Sequence, residues 1–222
     1  MGRYSRKLNT GILRCAQNDK PFVMAVGMKG NQEGTMRKLI VFNHVSLDGY
    51  FVDSNGRMDW ARTAADDEEW NVFVAENAKG GGPLLFGRVT YELMNSFWPT
   101  PMASAVHHDV AERMNMLPKV VFSKTLGEAA WSNTRLVRDM VPAIRKMKQE
   151  PGENMTIMGS GSVVSQLAAE GLIDEFHVVV NPIVLGKGRT MFEGIGERMP
   201  LTLTKSRAFS NGCTYLCYER LG

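Results

Sequence analysis

Cysteine is scarce: the 222 residues include three, Cys15, Cys213 and Cys217. They are too few and too scattered for a disulfide framework, which points to a reducing, cytoplasmic setting. Cys213 and Cys217 share one face of a strand-like segment at period two. No histidine stands near them in sequence, and His107-His108 has no third ligand, so no metal site is expected. No apolar run approaches the roughly 18 residues of a membrane span. The basic N-terminus lacks the continuous apolar core and small-residue cleavage site of a secretory leader. Charge of one sign is not in excess either. Lys and Arg number 26 against 23 Asp and Glu, a net charge of +3. That gives no case for nucleic acid as a partner, but it suits a small phosphorylated ligand.

What remains is an ordinary globular composition, 44% hydrophobic and 22% charged, enough for one domain with a full core. Residues 1–35 differ from the rest. They are rich in Gly, Asn, Lys and Arg without a sustained period, and they read as a disordered or non-native extension ahead of a domain over 36–222. From Met36 onward strands and helices alternate. Strands are expected over Lys38–Val45, Pro83–Phe86, Lys119–Phe122, Met155–Met158, Phe176–Val180, Leu201–Ala208 and Thr214–Glu219. Helices are expected over Asp66–Lys79 with an aspartate N-cap, from Thr90 to Asn95, and over Ala105–Asn115, Asp139–Gln149 and Ser162–Glu170. Ser46–Val52 reads as an extended loop. The pattern is α/β, with a mostly parallel central sheet flanked by helices and a C-terminal antiparallel hairpin.

Three strand ends carry the chemistry. In an open α/β sheet, ligands bind beyond the carboxyl ends of the strands, where helix N-termini offer free N–H groups. Leu84-Leu85-Phe86 runs into Gly87-Arg88-Val89-Thr90: backbone open to close approach, a guanidinium fork for phosphate, and a hydroxyl at a helix start. Val120-Val121-Phe122 runs into Ser123-Lys124, a hydroxyl and a cation suited to a ribose 2′-phosphate. Met155-Thr156-Ile157-Met158 runs into Gly159-Ser160-Gly161-Ser162-Val163 and then a helix. This last segment lacks the six-residue spacing and later acidic residue of a dinucleotide-binding Rossmann fingerprint, so that fold is excluded. Singly each segment is weak. Together they are able to bracket one dinucleotide.

These residues also resemble a known family. Gly87-Arg88-Val89-Thr90-Tyr91-Glu92 resembles the Gly-Arg-x-Thr-Trp-Glu segment of dihydrofolate reductases. Ser46-Leu47-Asp48-Gly49, Gly159-Ser160-Gly161-Ser162, Gly171 to Phe176 and Pro182 to Arg189 resemble the reductase domain of riboflavin biosynthesis. Over about residues 36–220 the chain is similar to the riboflavin deaminase–reductase C-terminal domain family.

The resemblance implies a dihydrofolate-reductase-like fold, often paired as a homodimer, and an NADPH-dependent reductase like 5-amino-6-(5-phosphoribosylamino)uracil reductase. It places Gly87, Arg88 and Thr90 on cofactor phosphate, Ser123 and Lys124 on the 2′-phosphate, and Gly159, Ser160, Gly161, Ser162 and Val163 around the pyrophosphate. Asn43, His44 and Val45 would lie beside the nicotinamide. Asp48 is the catalytic candidate. Trp60, Asn71, Tyr91 and Asn181 are candidates for the small-molecule substrate, with Arg57, Arg62, Lys187 or Arg189 for a substrate phosphate. Two departures narrow the reading. Asn71 stands where dihydrofolate reductases carry the carboxylate that binds a pterin, and no deaminase zinc motif is present. Alternatives are a same-fold reductase of a pterin, folate, or other small carbonyl or nitro compound, and a non-catalytic NADPH-binding module.

Overall fold

The computed structural model describes residues 36–61, 67–77 and 81–221. The expected N-terminal extension and both ends of the Asp66–Lys79 helix lie outside these residues. The chain enters through β1 (Leu39–Ser46), whose eight residues are all buried. Such a run is what a central strand covered on both faces requires. β1 pairs in parallel with β6 (Met155–Met158) on one side and β7 (Glu175–Asn181) on the other. Outward from β6 lie β3 (Leu84–Gly87), β4 (Lys119–Phe122) and β5 (Thr134–Val137), all parallel. Outward from β7 lie β10 (Thr214–Arg220) and β9 (Leu201–Ala208), both antiparallel pairings. The eight-stranded order is β5-β4-β3-β6-β1-β7-β10-β9.

Two cores flank the sheet. On one face α1 (Glu68–Asn77), α2 (Arg88–Asn95), α3 (Pro101–Val106) and α4 (His108–Met116) bury Trp70, Phe73, Trp98 and Met114. On the other, α5 (Met140–Gln149) and α6 (Gly161–Ala169) bury Ile144, Val164 and Leu167. A two-stranded ribbon of β2 (Tyr50–Asp53) and β8 (Gly188–Thr190) closes this second face and contributes Phe51 and Val52 to its core. No helix among the described residues is long and apolar enough to cross a membrane.

Local chemistry explains most boundaries. Asp67 caps α1, its Oδ1 accepting from the Trp70 amide at 2.9 Å. The single helix expected over Ala105–Asn115 is instead two. Thr100 caps the first, accepting from the Ala103 amide at 3.3 Å, with Pro101 in the first turn. His107, at φ −142° and ψ 62°, breaks the run before the second. The second ends on Lys119, whose buried ammonium donates to the Met114, Asn115 and Leu117 carbonyls at 2.8, 3.1 and 2.7 Å. Burial pushes this lysine down to about 8, while the three carbonyls and the Trp131 ring, 4.5 Å away, favour the ammonium.

Candidate functional site

The carboxyl ends of β3, β4, β5 and β6 open on one cavity of about 660 Å³. Gly87, Arg88, Thr90, Ser123, Lys124, Ser160, Gly161, Ser162 and Val163 all line it. The three sequence segments therefore converge. The cavity is strongly cationic. Among the described residues, Arg57, Arg88, Lys124, Arg138 and Arg189 face Asp59 as the one lining carboxylate. Arg88 is paired at the surface with Glu92 at 2.9 Å, a contact weak enough to be exchanged for a bound anion.

The cradle is built by close approach. A Cβ on Gly161 would stand 2.5 Å from a Phe51 ring atom, and one on Gly87 3.3 Å from the Val163 side chain. A side chain at Gly161 would force the Phe51 ring to move. The first two amides of α6, on Gly161 and Ser162, have no acceptor within the helix and belong to residues of the cavity wall. Such a terminus favours phosphate.

The ribbon of β2 and β8 forms one wall, and Asp48 anchors it. Its carboxylate accepts from Ser46 Oγ at 2.6 Å and from the Leu185 and Gly186 amides at 3.1 and 2.7 Å. Asp48 thus ties the two motifs at Ser46 and Pro182 to each other. The Ser46 hydroxyl, ahead of the two amides, holds its pKa below the ordinary carboxylate range. Gly188 lets the ribbon close, since a Cβ there would collide with the Val52 carbonyl. Arg189 lies over the Phe51 ring at 5.9 Å.

Other sequence candidates stand elsewhere. Asp48 is outside the cavity lining, committed to the ribbon. Asn43, His44 and Val45 are buried at the end of β1 and do not line the cavity. Asn43 Nδ2 donates to the Gly159 carbonyl at 3.1 Å and touches Met191 Sδ at 2.9 Å, leaving Oδ1 buried with no donor among the described residues. Burial pushes the His44 imidazole down to about 3, so it is neutral at physiological pH. Gly159 adjoins the wall without lining it. Tyr91 is a core residue whose hydroxyl accepts from the Trp131 amide at 2.8 Å. Asn181 bridges strands, its Nδ2 donating to the Val45 and Val179 carbonyls at 3.1 and 3.2 Å. Trp60 is half-buried against the first core, its Nε1 donating to the Arg57 carbonyl at 3.1 Å. Asn71 is exposed on α1, whereas its neighbour Trp70 points inward. Glu69, the nearby carboxylate, is taken by Arg207 at 3.1 Å and by the Ser210 amide and hydroxyl, both at 3.0 Å. Of the substrate-phosphate candidates, Arg57 and Arg189 line the cavity and Lys187 does not; Arg62 lies outside the described residues.

The sequence reading missed Arg138 and Phe51. Arg138 donates to the Ser123 and Leu126 carbonyls at 2.8 and 2.6 Å and faces the cavity. It follows β5 as Lys124 follows β4, so a strand end leading to a cation was again the available signal.

Strand order, ribbon and cavity together define a dihydrofolate-reductase-like α/β protein with a cationic cavity at its strand ends. Residues 37–215 match the RibD C-terminal domain, and the chain belongs to that family. It is 26% identical over 183 residues to the uncharacterized protein YyaP of Bacillus subtilis (strain 168), spanning 82% of this chain and 95% of YyaP. A solved structure of a candidate riboflavin biosynthesis protein from Shewanella sp. PV-4 is 25% identical with a TM-score of 0.65, covering 83% of this chain and 99% of that one. The deaminase/5-amino-6-(5-phosphoribosylamino)uracil reductase of Thermotoga maritima shares the fold with a TM-score of 0.58 at 15% identity, covering 84% of this chain and 57% of that longer one.

Proposed function

We propose that this protein is an NADPH-dependent reductase resembling 5-amino-6-(5-phosphoribosylamino)uracil reductase. The observation that carries the reading is the convergence of Arg88, Ser123, Lys124 and Gly161 on one cationic cavity. In this reading the first amides of α6 and Arg88 hold the pyrophosphate, and Lys124 with Ser123 takes the 2′-phosphate. Glycine at 161 and the α6 amides fit such a group, because a phosphate needs donors and backbone proximity rather than bulk. The bound cofactor supplies the hydride. The chain binds, orients and excludes water: Phe51 and the ribbon close one wall, and Arg189 and Arg57, the latter loosely paired with Asp53 and Asp59 at 3.9 and 4.0 Å, are the cations an anionic substrate would meet. Asp48 serves the ribbon rather than the proton transfer.

The pterin alternative loses its chemical basis in α1, where Asn71 faces outward and Glu69 is occupied. A small carbonyl or nitro compound remains a second reading, favoured by the apolar stretch of cavity wall at Met58, Val89, Leu93 and Met94. The test is a titration with NADPH and NADH, followed by NADPH oxidation with the pyrimidine ribosylamine phosphate and with a carbonyl and nitro panel. Preferential NADPH binding and turnover of the first substrate are expected. Tight binding without turnover on any of them would mark a cofactor-binding module. Absence of NADPH binding would end the reductase reading.

A further inference from the structure

Two consecutive residues after β6 are left-handed: Gly159 at φ 61° and Ser160 at φ 58°, ψ 56°. Glycine adopts this freely; a residue with a Cβ does so under strain and needs to be held there. Ser160 is held on every side. Its N–H donates to Thr90 Oγ1 at 3.1 Å. Its Oγ accepts from the Gly87 amide at 2.8 Å and donates to the Met158 carbonyl at 3.2 Å. Its carbonyl accepts from the Val163 and Val164 amides at 2.8 and 3.0 Å. The preceding carbonyl, of Gly159, takes the Asn43 carboxamide at 3.1 Å. Residues at the ends of β1, β3 and β6 and the start of α2 thus meet around two peptide units.

A phosphate only accepts hydrogen bonds. The one proton of the Ser160 hydroxyl is already given to Met158, and the side chain is buried. Resting on the NADPH reading above, we propose that Ser160, backed by Asn43, is a positioning residue: it locks the left-handed pair that aims the Gly161 and Ser162 amides at the bound pyrophosphate, and it does not itself ligate phosphate. Asn43 acts from outside the cavity, through the Gly159 carbonyl.

Two fragments of the cofactor separate the possibilities. Adenosine 2′-phosphate reports the Ser123–Lys124 end alone; adenosine 2′,5′-bisphosphate adds one phosphate at the α6 terminus. Ser160→Ala, Ser160→Gly and Asn43→Ala are each expected to weaken the bisphosphate about tenfold, the scale of a charge-assisted hydrogen bond lost or misaimed. All three leave the 2′-phosphate fragment at wild-type affinity. Ser160→Gly is the variant most certain to fold, since glycine relaxes the strained backbone. The decisive case is Asn43→Ala, because the probe carries no nicotinamide and the side chain does not line the cavity. A loss in Ser160→Ala with none in Asn43→Ala would make Ser160 a ligand and overturn the proposal. Unchanged bisphosphate affinity in the Ser160 variants would overturn it as well, as would equal loss of both fragments. Failure of the wild-type protein to bind either fragment would remove the cofactor reading and this proposal with it.

Discussion

Asp48 and Lys124 both follow strands, yet they are used differently. The Asp48 carboxylate is consumed by Ser46 and two loop amides, and those donors hold its pKa below the ordinary carboxylate range. Asp48→Asn is therefore expected to loosen the ribbon and weaken NADPH binding, while the pH profile of turnover stays where it was. A shifted profile would return Asp48 to the chemistry. Lys124 has no such commitment among the described residues and faces the cavity. Lys124→Ala should cut the preference for NADPH over NADH by about tenfold or more, read as a ratio of dissociation constants. Sequence showed which residue types gather at strand ends. It did not show which of them spend their hydrogen bonds inside the chain. Tyr91 matched a motif and proved to be a core hydroxyl bonded to the Trp131 amide; that partner is 40 residues away and has no local signature.

At the scale of elements, the long or strongly apolar segments were legible and the short ones were not. Lys119–Phe122, Met155–Met158 and Leu201–Ala208 fall where their apolar or alternating patterns put them. β5 did not announce itself. Its four residues, Thr-Arg-Leu-Val, form a half-exposed edge without an apolar run, and Arg138 was overlooked along with it. β8 is three residues long and exists because β2 pairs with it. The contact between the ribbon and α6 gives a direct test. Gly161→Ala drives a methyl group into Phe51, which should cost about 1–3 kcal/mol of stability for an overpacked site and lower NADPH affinity in parallel. Thermal unfolding and titration of the same variant measure both. A variant with normal affinity would mean that ribbon and helix terminus are not coupled.

The whole molecule separates its charges along the strands. The cavity occupies the carboxyl ends of the parallel strands, while Lys38, Glu175 and Glu219 pair at the far end, at 2.6 and 3.4 Å. His177, hydrogen-bonded at 2.8 Å, is the main cause that holds the Glu175 carboxyl down to about 2 from its ordinary 4.5, with Lys38 adding to it. A carboxyl depressed in the folded state stabilises above its unfolded pKa and loses that contribution as pH falls through its folded one. Stability should therefore decline from about pH 4.5 towards 2, and Glu175→Gln should flatten that decline in acid denaturation curves. The sheet face formed by Val178, Val180, Leu216 and Tyr218 is half-exposed, and Leu203 beside it is 49% exposed. We propose that a second copy pairs there. Light scattering should give a dimer, and Leu216→Asp a monomer with intact secondary structure.

β1 starts, and the antiparallel β10 finishes, at that same charged end, where Lys38 and Glu219 touch. A partner joined after Leu221, whether a tag or another enzyme, thus departs from the floor of the molecule, opposite the strand ends that open on the cavity. A fluorescent protein joined after Leu221 should bind NADPH with the affinity of the unfused chain. The same layout allows fusion partners to be exchanged without redesigning the pocket.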